Sequence, residues 1–362
     1  MKRPTRSRVR ACAGLTAAAT TAAILAVAGT QSPTHPRSRP PAAAAQQPAA
    51  TAPAGLVGPG AADPGDPAGG AAGGGRRGRP LAVRPSSSSV RVVHAAYAGT
   101  RNPYQRLTAT YDTRLRRAPW VVTVHGGSWV AGSEANLQPA VDVLRVAGFQ
   151  VFNISYRLGV DRPGSPAAGW LDQRRDVLAA IAWVRGHARR FGLDPDRGAL
   201  LGTSAGGNLA AAAGLAGDGG TGIRAIVSVA GVLEPQRLWL DLRTPFPRER
   251  FTRRMAVLAG QAAGVMGCEY ETGTSACARR WRAFDPASAV SSHDPAVLMF
   301  QGLADGTVPY RMPRHLEQAL RAAGVPAQLV YVPGGGHTPR IAFDAGTQQR
   351  RLVQFLRQRT AA

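Results

Sequence analysis

Short apolar runs alternate with longer amphipathic segments from about residue 90 to the end of the chain. The runs that predict strands lie at residues 90–98, 107–111, 120–124, 150–155, 199–201, 296–301 and 327–332. Helices are predicted at 136–147, 171–190 and 311–323; in the second, Val177, Ile181 and Val184 recur at helical spacing. This alternation predicts a mostly parallel sheet with helices on both faces.

Ser204 is the first candidate for chemistry. It lies in a G-x-S-x-G pentapeptide, Gly202 to Gly206, between an apolar strand and the Ala-rich run 208–213. In this motif the chain leaves a strand, reverses sharply and enters a helix, and the glycines avoid collisions in the strained turn. The motif alone is weak in a chain with 43 glycines, so its context has to support it.

That context is a His-Gly-Gly turn, His125 to Gly127, directly after the strand at 120–124. Such a turn can direct bare backbone N–H groups at one point. Acyl transfer needs donors of this kind, because negative charge develops on the carbonyl oxygen. We expect the N–H groups of Gly126, Gly127 and Ala205 to form an oxyanion hole, since the residue after the nucleophile also donates.

A serine elbow on such a sheet is followed along the chain by an acid and then a histidine. Asp305 lies in the exit loop of the strand at 296–301 and is the predicted acid; Asp285, before Pro286, is typical of a turn or helix cap and stays a second candidate. His337 follows the strand at 327–332 in a Gly-rich loop and is the predicted base. His315 falls inside a predicted helix, which favours a solvated helix face.

These residues resemble the α/β-hydrolase superfamily over about residues 90–360. Within it they are similar to carboxylesterase-like groups with a His-Gly-Gly-x-Trp turn, such as bacterial acetyl- and feruloyl-esterase-like proteins and hormone-sensitive-lipase relatives. The segments 173–185 and 191–197 also match, whereas Ser128 stands where the lipase relatives usually carry a third glycine. The resemblance implies the α/β-hydrolase fold with a cap insertion.

The cap is expected at about residues 232–294, where the strand and helix rhythm is interrupted. Trp129, Trp239, Phe246 and Trp281 are predicted to line the substrate pocket. The alternative for the last three is that they form the cap's own core.

The N-terminal region has the pattern of an export signal. Basic residues at 2–10 precede an Ala-rich stretch that ends in Ala26-Val27-Ala28, which predicts a signal peptide over 1–28; an uncleaved membrane anchor is the alternative. Residues 29–90 are dominated by Ala, Pro, Gly and Ser and predict a disordered spacer. The catalytic domain is then 91–362, and we expect a secreted protein.

Charge and cysteine content narrow the partners. The net charge is +23, but Lys2 is the only lysine and the arginines are scattered, so we expect no nucleic-acid binding and only loose attraction to acidic polymers. Cys268 and Cys277 predict a disulfide in an exported chain, since zinc would need further ligands. No metal or cofactor is expected, because a serine, a histidine and an aspartate suffice for acyl transfer.

The sequence thus predicts a secreted serine carboxylic-ester hydrolase that uses an acyl-enzyme on small or medium acyl esters, free or borne on a polymer. A peptidase or amidase with the same three residues is the alternative, made less favourable because the length leaves no room for a peptide-filtering β-propeller. A non-catalytic binding module on this fold is a third, and the intact trio argues against it. The sequence does not indicate an oligomeric state. No stable membrane anchor is expected after cleavage of the signal peptide.

Overall fold

One eight-stranded sheet organises the part of the chain that the computed structural model describes, residues 89–99, 102–215, 222–243, 252–270 and 274–362. Its strand order is β1-β2-β4-β3-β5-β6-β7-β8, with β2 antiparallel to both β1 and β4 and all later pairs parallel. The strands are β1 Val90–Ala96, β2 Arg106–Asp112, β3 Ala118–Val124, β4 Gln150–Ile154, β5 Leu193–Thr203, β6 Ile223–Val229, β7 Ala296–Gly302 and β8 Ala327–Val332. The predicted α/β architecture is confirmed.

Helices cover both faces of this sheet. They are α1 Gln138–Val146, α2 Trp170–Gly186, α3 Ala188–Phe191, α4 Ala205–Gly214, α5 Pro235–Arg243, α6 Arg253–Met266, α7 Ser275–Phe284, α8 Pro313–Ala322, α9 Arg340–Phe343 and α10 Thr347–Arg359, with 3-10 turns at Glu134–Leu137 and Pro286–Ala289. Successive residues of β3 point to opposite faces: Val122 packs in the apolar cluster under α2, α6 and α7, and Val121 in the cluster under α1 and α10. Parallel strands buried on both faces explain the continuous apolar runs of the sequence.

Several elements differ from the sequence expectation, among them one strand and one helix. The nucleophile strand begins at Leu193 and not at residue 199, because Ala118 pairs with Leu193 before the register shifts and Trp120 pairs with Gly198. The helix α10 was not predicted, since its buried stripe of Leu352, Phe355 and Leu356 is narrow among Arg and Gln residues.

The predicted cap segment contains α5, α6 and α7. Apolar residues of α6 and α7, among them Leu258 and Trp281, pack in the same cluster as Val122. A disulfide joins Cys268 to Cys277 and so links the end of α6 to α7. That this segment acts as a cap stays a prediction.

The predicted signal peptide and nearly all of the predicted spacer lie outside the described residues. Within the described ranges, no helix combines the length and the apolar character that crossing a membrane requires. The same ranges hold no cluster of three or more His, Cys, Asp or Glu side chains placed to bind a metal ion.

Candidate active site

Ser204 occupies a strained turn between the end of β5 and the start of α4. Its backbone angles, φ 53° and ψ −123°, are rare for a residue with a side chain. A Cβ added at Gly202 would lie 2.1 Å from Gly206 O, and one added at Gly206 would lie 2.2 Å from Val124 O. A side chain at either glycine of the motif would collide with backbone atoms, so both positions require glycine. The turn holds the serine hydroxyl at the strand's end.

His337 and Asp305 meet this serine. His337 Nε2 lies 3.1 Å from Ser204 Oγ, and His337 Nδ1 lies 2.9 Å from Asp305 Oδ2. The loop that carries Asp305 contacts the loop that carries His337, where Ala304 N–H donates to Gly335 O at 2.9 Å. The structure thus brings together the three residues that the sequence singled out, from the exits of three different strands.

Asp305 is held by donors on both carboxylate oxygens. Its side chain is fully buried; Oδ1 accepts the backbone N–H groups of Thr307 and Val308 at 2.8 and 2.9 Å, and Oδ2 accepts the Gln301 amide at 3.0 Å. With these three donors the carboxyl group acts as an acceptor, so His337 donates to it and carries its proton on Nδ1. Nε2 is then the ring atom that can accept the serine proton.

The glycine turn lies beside the nucleophile. Gly126 and Gly127 line the same cavity of about 470 Å³ as Ser204 and His337. A Cβ added at Gly126 would come within 3.0 Å of Ser204 Cβ, so glycine there keeps the approach open. Gly127, Ser128 and Trp129 all have positive φ, which marks a strained loop. The Ala205 N–H opens α4, where no acceptor within the helix is available to it.

The buried side chain of His125 stabilises the glycine turn through its contacts with Gly126 and Tyr156. Its ring is buried, stacks on Tyr156 at 4.3 Å and has Nδ1 2.7 Å from Gly126 O. Burial lowers the pKa of His125 to about 4, so the ring is neutral and its Nδ1–H donates to that carbonyl. No role of His125 or Gln301 was predicted from the sequence, where the signal for Gln301 is a lone polar residue near the end of an otherwise apolar strand.

The second-choice acid and histidine form a separate pair. Asp285 accepts the Ala287 N–H at 3.0 Å as the cap of a 3-10 turn, as the sequence favoured, and its other oxygen lies 3.0 Å from His315 Nε2. The Asp285 hydrogen bond raises the pKa of His315. His315 therefore has a partner on the fold and is not a merely solvated helix residue.

The predicted aromatic lining of the pocket needs correction. Trp129 and Trp281 are buried in the core, where both pack on Phe284 with ring centroids 5.0 and 5.6 Å apart. Trp239 packs on the same apolar cluster, and Phe246 lies outside the described residues. Among the described residues, the cavity beside Ser204 has no large aromatic ring in its lining, which consists of small, polar and a few aliphatic residues: Gly126, Gly127, Ser128, Ala131, Gly132, Asn136, Leu137, Thr203, Val229, Ala230, Thr307, His337, Thr338 and Pro339.

A mostly parallel sheet with a serine elbow and partner loops at its strand exits defines the α/β-hydrolase class. The model of the prolyl oligopeptidase family matches residues 172–361, more than half of the chain, and the BD-FAE model matches 110–232. The chain therefore belongs to the prolyl oligopeptidase family, among the carboxylesterase-like α/β-hydrolases.

Curated relatives include two mycobacterial proteins. Esterase LipC of Mycobacterium tuberculosis is 30% identical over 240 residues, which cover 62% of this chain and 54% of that protein. Esterase LipQ of the same organism is 29% identical over 254 residues, covering 66% and 53%. The chain thus spans about half the length of these relatives.

Solved structures share the fold. A truncated carbohydrate esterase from gut microbiota superimposes with a TM-score of 0.59 at 24% identity, over 77% of this chain and 99% of that one. An acetyl ester-xyloside bifunctional hydrolase from Caldicellulosiruptor lactoaceticus gives a TM-score of 0.59 at 19% identity, over 75% and 98%.

Proposed function

We propose that this protein is a serine carboxylic-ester hydrolase that works through an acyl-enzyme. The observation that carries the proposal is the hydrogen-bonded line from Ser204 Oγ through the His337 ring to the buried Asp305 carboxylate. The relatives named as esterases support the same reaction class.

In the first half-reaction the Ser204 oxygen attacks the ester carbonyl while His337 Nε2 takes the hydroxyl proton. Asp305 keeps the ring oriented and stabilises the imidazolium. The N–H groups of Gly126, Gly127 and Ala205 receive the charge on the carbonyl oxygen. His337 then returns the proton to the leaving alkoxide, which departs as the alcohol and leaves Ser204 acylated.

The second half-reaction repeats these roles with water. The oxygen of a water molecule attacks the acyl carbon while His337 takes a proton from that water. The tetrahedral intermediate collapses with loss of the Ser204 oxygen, which regains its proton from His337. The products are the carboxylic acid and the free enzyme.

The size of the cavity beside Ser204 favours substrates with small or medium acyl groups. Its volume is about 470 Å³ and, among the described residues, Leu137 and Val229 are its bulkiest aliphatic lining. The polar side chains of Ser128, Asn136 and Thr338 in the same lining can form hydrogen bonds with a polar alcohol, free or part of a polymer.

Amide or peptide hydrolysis is the second candidate. It is favoured by the match to the prolyl oligopeptidase family over residues 172–361. The same three residues could cleave an amide, with His337 protonating a leaving amine in place of an alkoxide.

A substrate panel separates these reactions. It contains p-nitrophenyl esters from acetate to palmitate, acetylated xylan, feruloyl esters and aminoacyl-nitroanilides, each tested with the wild type and Ser204→Ala. We expect kcat/KM to be highest for short acyl esters and to need Ser204. Nitroanilide cleavage exceeding ester cleavage would favour the peptidase; activity on no substrate would favour a binding module.

We also propose that the protein is exported. The basic and Ala-rich residues 1–28 and the disulfide between Cys268 and Cys277 both suit an oxidising compartment. N-terminal sequencing of the secreted enzyme is expected to begin near residue 29. A mature chain that keeps Met1 and stays with membranes would favour the anchor instead.

A further inference from the structure

Gln301, in β7 next to the candidate acid, has no part in the steps above. Its side chain is fully buried. Its Nε2 lies 3.0 Å from Asp305 Oδ2, the same oxygen that faces His337 Nδ1 at 2.9 Å. Two donors therefore converge on one carboxylate oxygen, and only one of them belongs to the proposed relay.

The surroundings of the amide decide which end faces Asp305. Besides Asp305 Oδ2, Nε2 approaches the carbonyl oxygens of Val308 at 3.4 Å and Gly302 at 3.5 Å. An oxygen in that place would meet three acceptors, one of them charged, so the nitrogen belongs there. Gln301 Oε1 is then buried without a hydrogen-bond partner in the described part of the chain.

This unpartnered oxygen argues against a packing role. All seven residues of β7 are buried, and the five before Gln301 are apolar. A methionine or leucine at 301 would fill the same space without burying an unpaired acceptor, which is unfavourable for folding. The compensating contact that only an amide provides is the donor to Asp305.

We propose that Gln301 is a positioning residue of the relay, an inference that rests on the proposed ester hydrolysis. Its N–H holds the carboxylate in the plane that meets His337 Nδ1. It also draws negative charge from Oδ2, which keeps the proton of the imidazolium on His337 instead of moving to Asp305. Gln301 acts on the substrate only through these two residues.

Gln301→Met tests this directly, because methionine has a similar shape and no donor. We expect kcat to fall about tenfold with KM nearly unchanged, as the base is misaligned while the cavity is untouched. The acid limb of kcat/KM should move to higher pH, since Oδ2 then presents more charge to His337. The melting temperature should change little, because the loss of a donor to the buried Asp305 is offset by the loss of the unpaired Oε1.

Met299→Leu is the matched control. Met299 is buried on the same face of β7, two residues before Gln301, and contacts apolar neighbours. This variant should alter the melting temperature without moving the acid limb. If Gln301→Met behaves the same way, with lower stability and the wild-type pH profile, Gln301 is a packing residue and the proposal is overturned.

A second readout needs no substrate. The proton on His337 Nδ1 should give a low-field NMR resonance, assigned by its loss in His337→Ala. We expect it to shift in Gln301→Met and to stay in place in Met299→Leu. An unshifted resonance would overturn the positioning role whether or not an ester is turned over, whereas a wild type without Ser204-dependent ester hydrolysis would reject only the proposed function.

Discussion

At the scale of single residues, the site depends on glycines at positions where a side chain would collide with neighbouring atoms. Gly202 and Gly206 leave room for the turn that presents Ser204, and Gly126 leaves room for a substrate next to it. These glycines could be recognised from the sequence because their spacing is set by local backbone geometry. His125 and Gln301 could not, because their contacts arise only when separate segments pack together.

Gly202→Ala should therefore be strongly disruptive. The new methyl would lie 2.1 Å from a backbone oxygen that cannot move without opening the turn. We expect a loss of at least about 2 kcal/mol in the free energy of unfolding, measured by denaturant titration, together with loss of esterase activity.

Gly260→Ala is the matched control for that change. Gly260 is an exposed residue in the interior of α6, and an added Cβ there meets nothing within 4 Å. We expect this variant to be about 0.5–1 kcal/mol more stable and fully active. Equal effects of the two substitutions would show that the elbow is not as tight as described.

At the scale of elements, the sequence pattern located most strands well but did not show which aromatic side chains are buried in the core. Alternating apolar runs are a local signal, so most strands and the helix α2 lie within a few residues of their predicted bounds. Which face an aromatic ring occupies is decided by packing between elements. Trp129 and Trp281 accordingly lie in the core, where both pack on Phe284.

The His315 and Asp285 pair links α8 to the 3-10 turn before β7, and its strength should depend on pH. The folded pKa of His315 is raised by Asp285, so the pair's contribution is complete below the unfolded pKa and is lost as pH rises through the folded pKa. We expect His315→Gln to lower the melting temperature more at pH 5.5 than at pH 8.5. A larger difference at pH 8.5 would mean that the ion pair is not the source of the stabilisation.

At the scale of the whole molecule, every residue assigned to chemistry lies beyond Trp120, at strand exits of one continuous sheet. The compact unit that contains this sheet extends from Gly78 to Ala362. The N-terminal 90 residues hold 11 basic and 2 acidic residues, so positive charge is concentrated in this part of the sequence.

Removal of residues 1–77 should leave catalysis intact. We expect kcat/KM for a soluble ester to stay within about twofold of the full chain, because every residue assigned to the transition state lies beyond Trp120. Attraction to acidic polymers should weaken, since basic residues leave with it. A truncated enzyme with the normal circular dichroism and melting curve but little activity would show that the N-terminal segment reaches the active site.

The central claim is that Ser204 becomes acylated with His337 as its base. The most direct measurement is the intact mass of the enzyme mixed with a slowly deacylated p-nitrophenyl ester, with peptide mapping of the modified site and kcat/KM for each variant. We expect one acyl group on Ser204, none in Ser204→Ala, and a loss of at least about 10³-fold in kcat/KM for Ser204→Ala and His337→Ala but not for His315→Ala. Near-wild-type turnover by Ser204→Ala, or an acyl group mapped to another residue, would contradict the claim.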